Sequence, residues 1–328
     1  MRAMVLRRPK TPLVFEERPD PNPGLGEIRV RVSACGVCRT DLHLVDGDLP
    51  PHRAAIVPGH EVVGHVDALG GGADPALLGA RVGVPWLGHA CGHCPYCESG
   101  AENLCDAPAF TGWDRDGGFA THVIADAAFA VSLDGLDLDD VTAAPLMCAG
   151  LIGWRSLVRA GDGRALGLYG FGAAAHILAQ IAVHQERRVY AFTRPGDVEA
   201  QAFARSVGCL WAGGSDAVPP EPLDAAIIFA PVGDLVPQAL KVVRKGGRVV
   251  CGGIHMSDIP AFPYSLLWQE REVVSVANLT RTDARDFLRA ASEARPRIEV
   301  RVYPLEDANR ALDDLRAGRF SGAAVLVP

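Results

Sequence analysis

Apolar residues recur along this chain in two textures. Up to about Val131 they come in short β-type runs punctuated by Gly and Pro. Glu27-Ile28-Arg29-Val30-Arg31-Val32 alternates polar with apolar, the period of a strand with one wet face. Residues 61–66 and Arg81–Val84 add short strands, so this part predicts an irregular, mostly antiparallel β domain. Beyond Asp139 the pattern changes. Residues 140–159 read as helices broken near Pro145 and Gly150. Five apolar runs follow, at Ala165–Tyr169, 189–193, 225–229, 247–251 and 273–277, separated by amphipathic segments. Short apolar strands alternating with helices predict a parallel sheet covered on both faces. A helix at 284–294, a strand at 299–304, a helix at 306–317 and a last strand Ala323–Val327 form a tail expected to rejoin the first domain. The expected fold class is therefore α/β. Residues 1–145 and 282–328 would form one discontinuous domain, and 146–281 a doubly wound domain.

Composition removes several function classes. The formal net charge is −7 with no dense Lys/Arg run, a poor surface for a phosphate backbone, so no nucleic-acid partner is expected. The first eight residues lack the apolar core of a signal peptide, and the most apolar stretch, 165–183, is interrupted by three glycines, His176 and Gln180. It reads as strand, turn and helix, and a cytoplasmic protein without a membrane partner is expected. Nine cysteines in a reducing compartment point to metal or redox chemistry.

Four of them, Cys91, Cys94, Cys97 and Cys105, form C-x2-C-x2-C-x7-C. Thiolates at this spacing can wrap one tetrahedral Zn²⁺, and Gly92, Pro95 and Gly100 suit the turns between them. An iron–sulfur cluster is the competing occupant. Four thiolates leave no open position, so the role would be structural. A second set is dispersed: Cys38 within C-G-V-C-R-T-D-L-H (35–43), His60 and Glu61 within P-G-H-E (58–61), and Cys148. By spacing alone Cys148 reads as core filler, and Cys35 with Cys38 as a redox dithiol.

These segments, in this order, with D-G-G-F-A at 116–120 and a glycine-rich turn near 170, resemble the medium-chain zinc-dependent alcohol dehydrogenases, bacterial and yeast-like members above all. The resemblance runs along nearly the whole chain and implies a GroES-like catalytic domain joined to a Rossmann-type domain. It implies a catalytic Zn²⁺ on Cys38, His60 and Cys148 with a fourth position open, Glu61 as an occasional ligand, and Asp41 orienting His60. Thr40 would take the proton of the alcohol and pass it through the cofactor ribose toward His43 at the surface. Cys35 is left for packing.

Gly170-Phe171-Gly172-Ala173-Ala174-Ala175 follows the strand Ala165–Tyr169 and opens a helix, giving G-x-G-x-x-A with Gly170, Gly172 and Ala175 in the motif positions. Such a turn lets pyrophosphate approach a helix N-terminus. The next strand ends in Thr193-Arg194, where NAD enzymes usually carry Asp or Glu. A cation there suits a 2′-phosphate, so NADP is preferred over NAD. Gly252 and Ile254 follow a strand end and could face the nicotinamide. By resemblance Arg39 and Arg281 reach the cofactor, and Trp86, Leu87 and Trp113 line a pocket suited to a flat or short primary alcohol. The resemblance also suggests a homodimer or homotetramer paired through the last strand of the nucleotide domain. The rival readings are a quinone or enoyl reductase, which generally lacks the zinc ligands, and a zinc-stabilised binding or redox-sensing protein, which has no need of the glycine turn.

Overall fold

A computed structural model describes residues 1–328. The chain divides into two compact units. The first comprises residues 1–148, 278–292 and 299–328, and the second 149–277 with 293–298. Both crossings lie a few residues from the expected positions. The shift matters chemically, because Cys148 and Arg281 both belong to the first unit. The return of 293–298 to the second unit has no signature in the hydrophobic pattern.

The first unit is built on a seven-stranded sheet in the order Val300–Pro304, Ala323–Val327, Glu27–Val37, Glu61–Leu69, Arg81–Val84 and Val131–Ser132, with His122–Asp126 also paired to Glu27–Val37. Only its first two strands run parallel, and the rest are antiparallel. The alternation seen at 27–32 persists in the fold: Ile28, Val30 and Val32 are buried in the core with Val62, Val66 and Val82. The strand runs five residues beyond the alternating segment, to Val37, and delivers the chain to Cys38. Its last pairings bring Gly36 opposite Glu61, so two of the ligand-bearing loops leave the sheet side by side.

The second unit holds six parallel strands in the order Trp211–Gly214, Arg188–Thr193, Ala165–Tyr169, Leu223–Ile228, Val243–Cys251 and Glu272–Ser275. The chain winds outward from Ala165–Tyr169 in one direction, then returns and winds in the other. The order reverses beside that first strand, where open α/β sheets bind ligands. Alternate residues supply the two faces. Leu166, Leu168, Val189, Ala191 and Ile227 pack under the helices Ala149–Ala160 and Ala173–His184, while Tyr169, Tyr190, Phe192 and Ile228 pack under Leu235–Val242. Trp211–Gly214 was absent from the expected strands, since Trp-Ala-Gly-Gly carries little strand propensity and reads as a turn.

Expected helix 140–159 is three pieces: Asp140–Ala143, a 3-10 segment Ala144–Met147, and Ala149–Ala160. The second break falls at Cys148, not at Gly150, with φ −134° and ψ −64°. No single helix is long and apolar enough to cross a membrane.

Candidate active site and metal centres

The site in the first unit is assembled from three loops, two of which a buried carboxylate holds together. Cys38 precedes the helix Arg39–Asp46, and Asp41 in its first turn is fully buried. Asp41 Oδ2 accepts the backbone N–H of Cys38 at 2.8 Å. Its Oδ1 accepts the N–H of Gly59 at 3.1 Å and lies 3.4 Å from His60 Nδ1. One side chain thus fixes the loop of Cys38, the loop of His60 and the ring orientation of His60. Gly59 has φ +98°, and a Cβ there would meet the Phe119 ring at 2.4 Å, so the turn that presents His60 requires glycine.

The ligand atoms of Cys38, His60, Glu61 and Cys148 all lie within 4.8 Å of one another. Cys38 Sγ and Cys148 Sγ are 3.8 Å apart. A disulfide needs about 2.05 Å, whereas two sulfurs on one tetrahedral zinc, each about 2.3 Å from it, stand about 3.8 Å apart. The sulfur spacing fits a shared metal. His60 is fully buried and neither ring nitrogen has a hydrogen-bond partner; Nδ1 faces Asp41 Oδ1 at 3.4 Å, which leaves Nε2 as the nitrogen available to a metal. The contact with Cys148, above all, pulls the Cys38 thiol well below its ordinary range, against burial and with help from His60. Burial pushes His60 down, and the Asp41 carboxylate outweighs it. Gly36 makes room for Glu61: a Cβ there would stand 1.8 Å from Glu61 Oε2.

The four-cysteine lobe closes as its spacing implies. Cys91, Cys94, Cys97 and Cys105 bring their sulfurs within 4.8 Å of one another, with Cys91 and Cys97 at 4.0 Å. Backbone N–H groups of Cys91 and Ala107 point at Cys105 Sγ from 3.2 and 3.3 Å. The N–H groups of Asp106 and Cys97 bring Cys94 down to about 6. Donors aimed at sulfur favour the thiolate, the ligating form.

Thr40 Oγ1 lies 3.7 Å from Cys38 Sγ. His43, expected at the surface, is almost wholly buried: the helix Arg39–Asp46 turns Asp41, Leu42, His43, Leu44 and Val45 inward. The exposed residue is its partner Asp48, whose Oδ2 is 2.8 Å from His43 Nδ1. Trp86 meets the His60 ring edge-on at 4.7 Å and stacks with Phe110 at 5.1 Å and Trp113 at 5.8 Å. His52 caps this aromatic wall, 4.1 Å from Trp113. Leu87 is buried in the strand Leu87–His89, paired to Phe110. Phe110, His52 and Asp48 were not singled out from sequence, because nothing short-range marks them.

In the second unit, Gly170, Thr193 and Gly252 stand at one level, because Tyr169 pairs with Phe192 and Ile228, and Ile228 with Cys251. Gly170 has φ +86°, and a Cβ there would approach Ala230 N to 2.8 Å. At Gly172, the residue before the helix Ala173–His184, a Cβ would meet nothing within 4 Å, leaving the helix start open to a ligand. Ala175 is fully buried. The Thr193 hydroxyl is buried and engaged by Arg194 O, at 3.0 Å, and Gln201 Nε2, at 3.2 Å. Arg194 and Ile254 are exposed. In the first unit Arg39 is exposed at its helix start, and Arg281 is engaged by Glu102.

A GroES-like sheet carrying a Cys/His cluster, together with a six-stranded sheet that reverses beside a glycine turn, defines a medium-chain dehydrogenase. Residues 24–135 match the alcohol dehydrogenase GroES-like domain family. The chain is 48% identical over 315 residues to a Mycobacterium tuberculosis protein described as a probable alcohol dehydrogenase, AdhA, covering 94% of this chain and 90% of that one. An alcohol dehydrogenase of Geobacillus stearothermophilus is 34% identical over 343 residues, with 99% of both chains covered. The cobalt- and zinc-bound thermostable alcohol dehydrogenase of Pyrobaculum aerophilum superposes with a TM-score of 0.91 at 26% identity, over 100% of this chain and 99% of that one. The chain belongs to the medium-chain zinc-dependent alcohol dehydrogenase family, and its activity class is alcohol dehydrogenase.

Proposed function

We propose that this alcohol dehydrogenase is zinc-dependent and interconverts a primary alcohol, aromatic, allylic or short aliphatic, with its aldehyde, using NADP in preference to NAD. The observation that carries the zinc reading is the Cys38–Cys148 spacing of 3.8 Å beside an unpartnered, buried His60 Nε2. Cys38, His60 and Cys148 would hold the catalytic metal, with Glu61 as an exchangeable ligand, and Cys91, Cys94, Cys97 and Cys105 a structural one. Bound there, zinc supplies Lewis acidity toward the alcohol or carbonyl oxygen, and the nicotinamide supplies the hydride acceptor or donor.

The chain's own residues position the reactants and handle the proton. Thr40 Oγ1 would take the alcohol proton as it gives up its own, and His43, three residues on, would hold a proton on its way to solvent. Asp48 orients the imidazole from the solvent side. Trp86, Leu87 and Trp113, joined by Phe110, wall the substrate side with flat apolar surface and exclude water, which strengthens every charge interaction inside. Gly170, Gly172 and Ala175 would admit a pyrophosphate to the helix start, and Arg39 and Arg281 are the cationic candidates that the family resemblance suggests. Gly252 and Ile254, just past a strand end, would lie beside a bound nicotinamide. At the ribose, Arg194 carries the recognition of a 2′-phosphate. The engaged Thr193 hydroxyl shapes the turn, and no carboxylate stands at that position to repel the phosphate. A cytoplasmic homodimer or homotetramer completes the reading, paired through Glu272–Ser275, which is the sheet edge.

The test is benzaldehyde reduction by zinc-replete protein with NADPH and NADH in parallel. Faster, tighter turnover with NADPH supports the whole reading. Activity with NADH alone overturns the cofactor preference, and none with either overturns the aromatic substrate class.

A further inference from the structure

One carboxylate joins the four-cysteine lobe to the start of the helix Arg281–Ala294. Glu102 lies between Cys97 and Cys105 and is 9% exposed. Its Oε1 accepts the backbone N–H of Arg281 at 2.6 Å, and its Oε2 accepts Nε and Nη2 of the same side chain at 3.0 and 2.7 Å. That N–H belongs to the first residue of the helix, where no carbonyl of the helix can take it. The local cap is already used within the segment: Thr280 Oγ1 accepts the Asp283 N–H at 3.1 Å, and Asp283 Oδ2 accepts the Thr280 N–H at 2.8 Å. Glu102 therefore supplies an acceptor that the helix's own sequence lacks, at the end where the helix dipole favours a negative charge.

Two further contacts pin the same segment. Asn278 Nδ2 donates to Asn103 O at 3.3 Å, and the Arg281 guanidinium lies 4.6 Å above the Phe129 ring. Glu102 is itself part of the cysteine wrap, its carbonyl accepting the N–H of Cys105 at 3.1 Å. The position of its carboxylate thus depends on how Cys97 and Cys105 close. Burial works against the charge on Glu102, and the bonds from Arg281 outweigh it, holding the carboxyl below its usual range.

We propose that Glu102 is a positioning residue, a latch by which the metal-bearing four-cysteine lobe orders residues 278–281 and fixes the Arg281 guanidinium. Losing the lobe metal or the Glu102 carboxylate then frees the same helix start. The functional consequence, weaker cofactor binding, rests on the reading of Arg281 as a cofactor residue.

The test is amide exchange by mass spectrometry on purified, zinc-replete Glu102→Gln and on Cys97→Ser, which gives up the lobe metal. Zinc content is measured on each, and the NADPH Kd by nicotinamide fluorescence. Amides at 281–284 are expected to exchange about tenfold faster in both variants, the factor that ~1.4 kcal/mol produces. The double variant should exchange no faster than the faster single one. Unchanged exchange in Glu102→Gln overturns the latch, and unchanged exchange in Cys97→Ser overturns its dependence on the metal. Faster exchange with an unchanged NADPH Kd upholds the latch and overturns instead the cofactor role of Arg281. Should Glu102→Gln not accumulate folded, Arg281→Lys keeps the backbone bond and loses the fork. It should speed the same amides by a smaller factor, and no change there also sinks the latch.

Discussion

Asp41→Asn is the most informative single change to the site, because it keeps the shape and removes one acceptor. The wild-type carboxylate serves two backbone donors, Cys38 N–H at 2.8 Å and the buried Gly59 N–H at 3.1 Å, and faces His60 Nδ1 at 3.4 Å. An amide has one oxygen. Whichever way it is turned, its NH2 faces one of these two N–H groups from a fully buried side chain, and at Gly59 that donor is buried too. Leaving one buried donor unmet costs about 1–3 kcal/mol, and removing an outer partner of a ligating His lowers metal affinity about 10–100-fold. The assay is chelator competition followed by counting zinc per chain, with the four-cysteine lobe as an internal reference. One zinc should leave at about 10–100-fold lower chelator strength and the other should be unmoved. Release of both metals at the wild-type chelator strength would refute the stitching role of Asp41.

Three further outcomes are expected. Gly36→Ala drives a Cβ to 1.8 Å from Glu61 Oε2, so it should lower stability by about 1–3 kcal/mol in urea unfolding and depress turnover; a variant as stable and active as wild type contradicts the packing. Arg194→Ala should raise the KM for NADPH about tenfold or more, the loss of charge-assisted bonds to a phosphate, while the KM for NADH stays put. Thr193→Asp should move preference the same way, and unchanged discrimination in both misplaces the ribose site. Asp139 caps Asp140–Ala143, and the Thr142 N–H, then its hydroxyl, hold the carboxyl low. Its stabilisation is present above the unfolded value of about 3.9 and is lost as pH falls through the lower folded value. Asp139→Ala should therefore trail wild type by about 1 kcal/mol near neutral pH, with the gap closing in acid; a gap constant with pH is the contrary result.

The architecture was largely legible wherever side-chain period and burial agree. Ala165–Tyr169 and Ala323–Val327 fall where the apolar runs place them, and the glycine turn follows the first of these strands. Boundaries slipped where glycine punctuates a strand. Val243–Cys251 begins four residues before the expected start at Gly247 and runs through Gly246, so only its second half was expected. The ligand-bearing loops were legible as motifs, yet what holds them was only partly so. Asp41 stood next to Cys38 in sequence, whereas its bond to Gly59 is a tertiary fact. Nothing in the sequence marks Glu102, whose role depends on Arg281, 179 positions away. The burial of His43 comes from a helix covered on all sides from Asp41 to Val45, which a motif read position by position does not reveal.

The measurement that bears most directly on the account is turnover and zinc content of Cys148→Ser beside wild type. Cys148 lies at a helix break, 3.8 Å from Cys38 Sγ, and has no part in the four-cysteine lobe. The account predicts that turnover is lost, that one zinc per chain remains in the lobe, and that the fold and NADPH binding persist. Wild-type turnover with the catalytic zinc absent would contradict it.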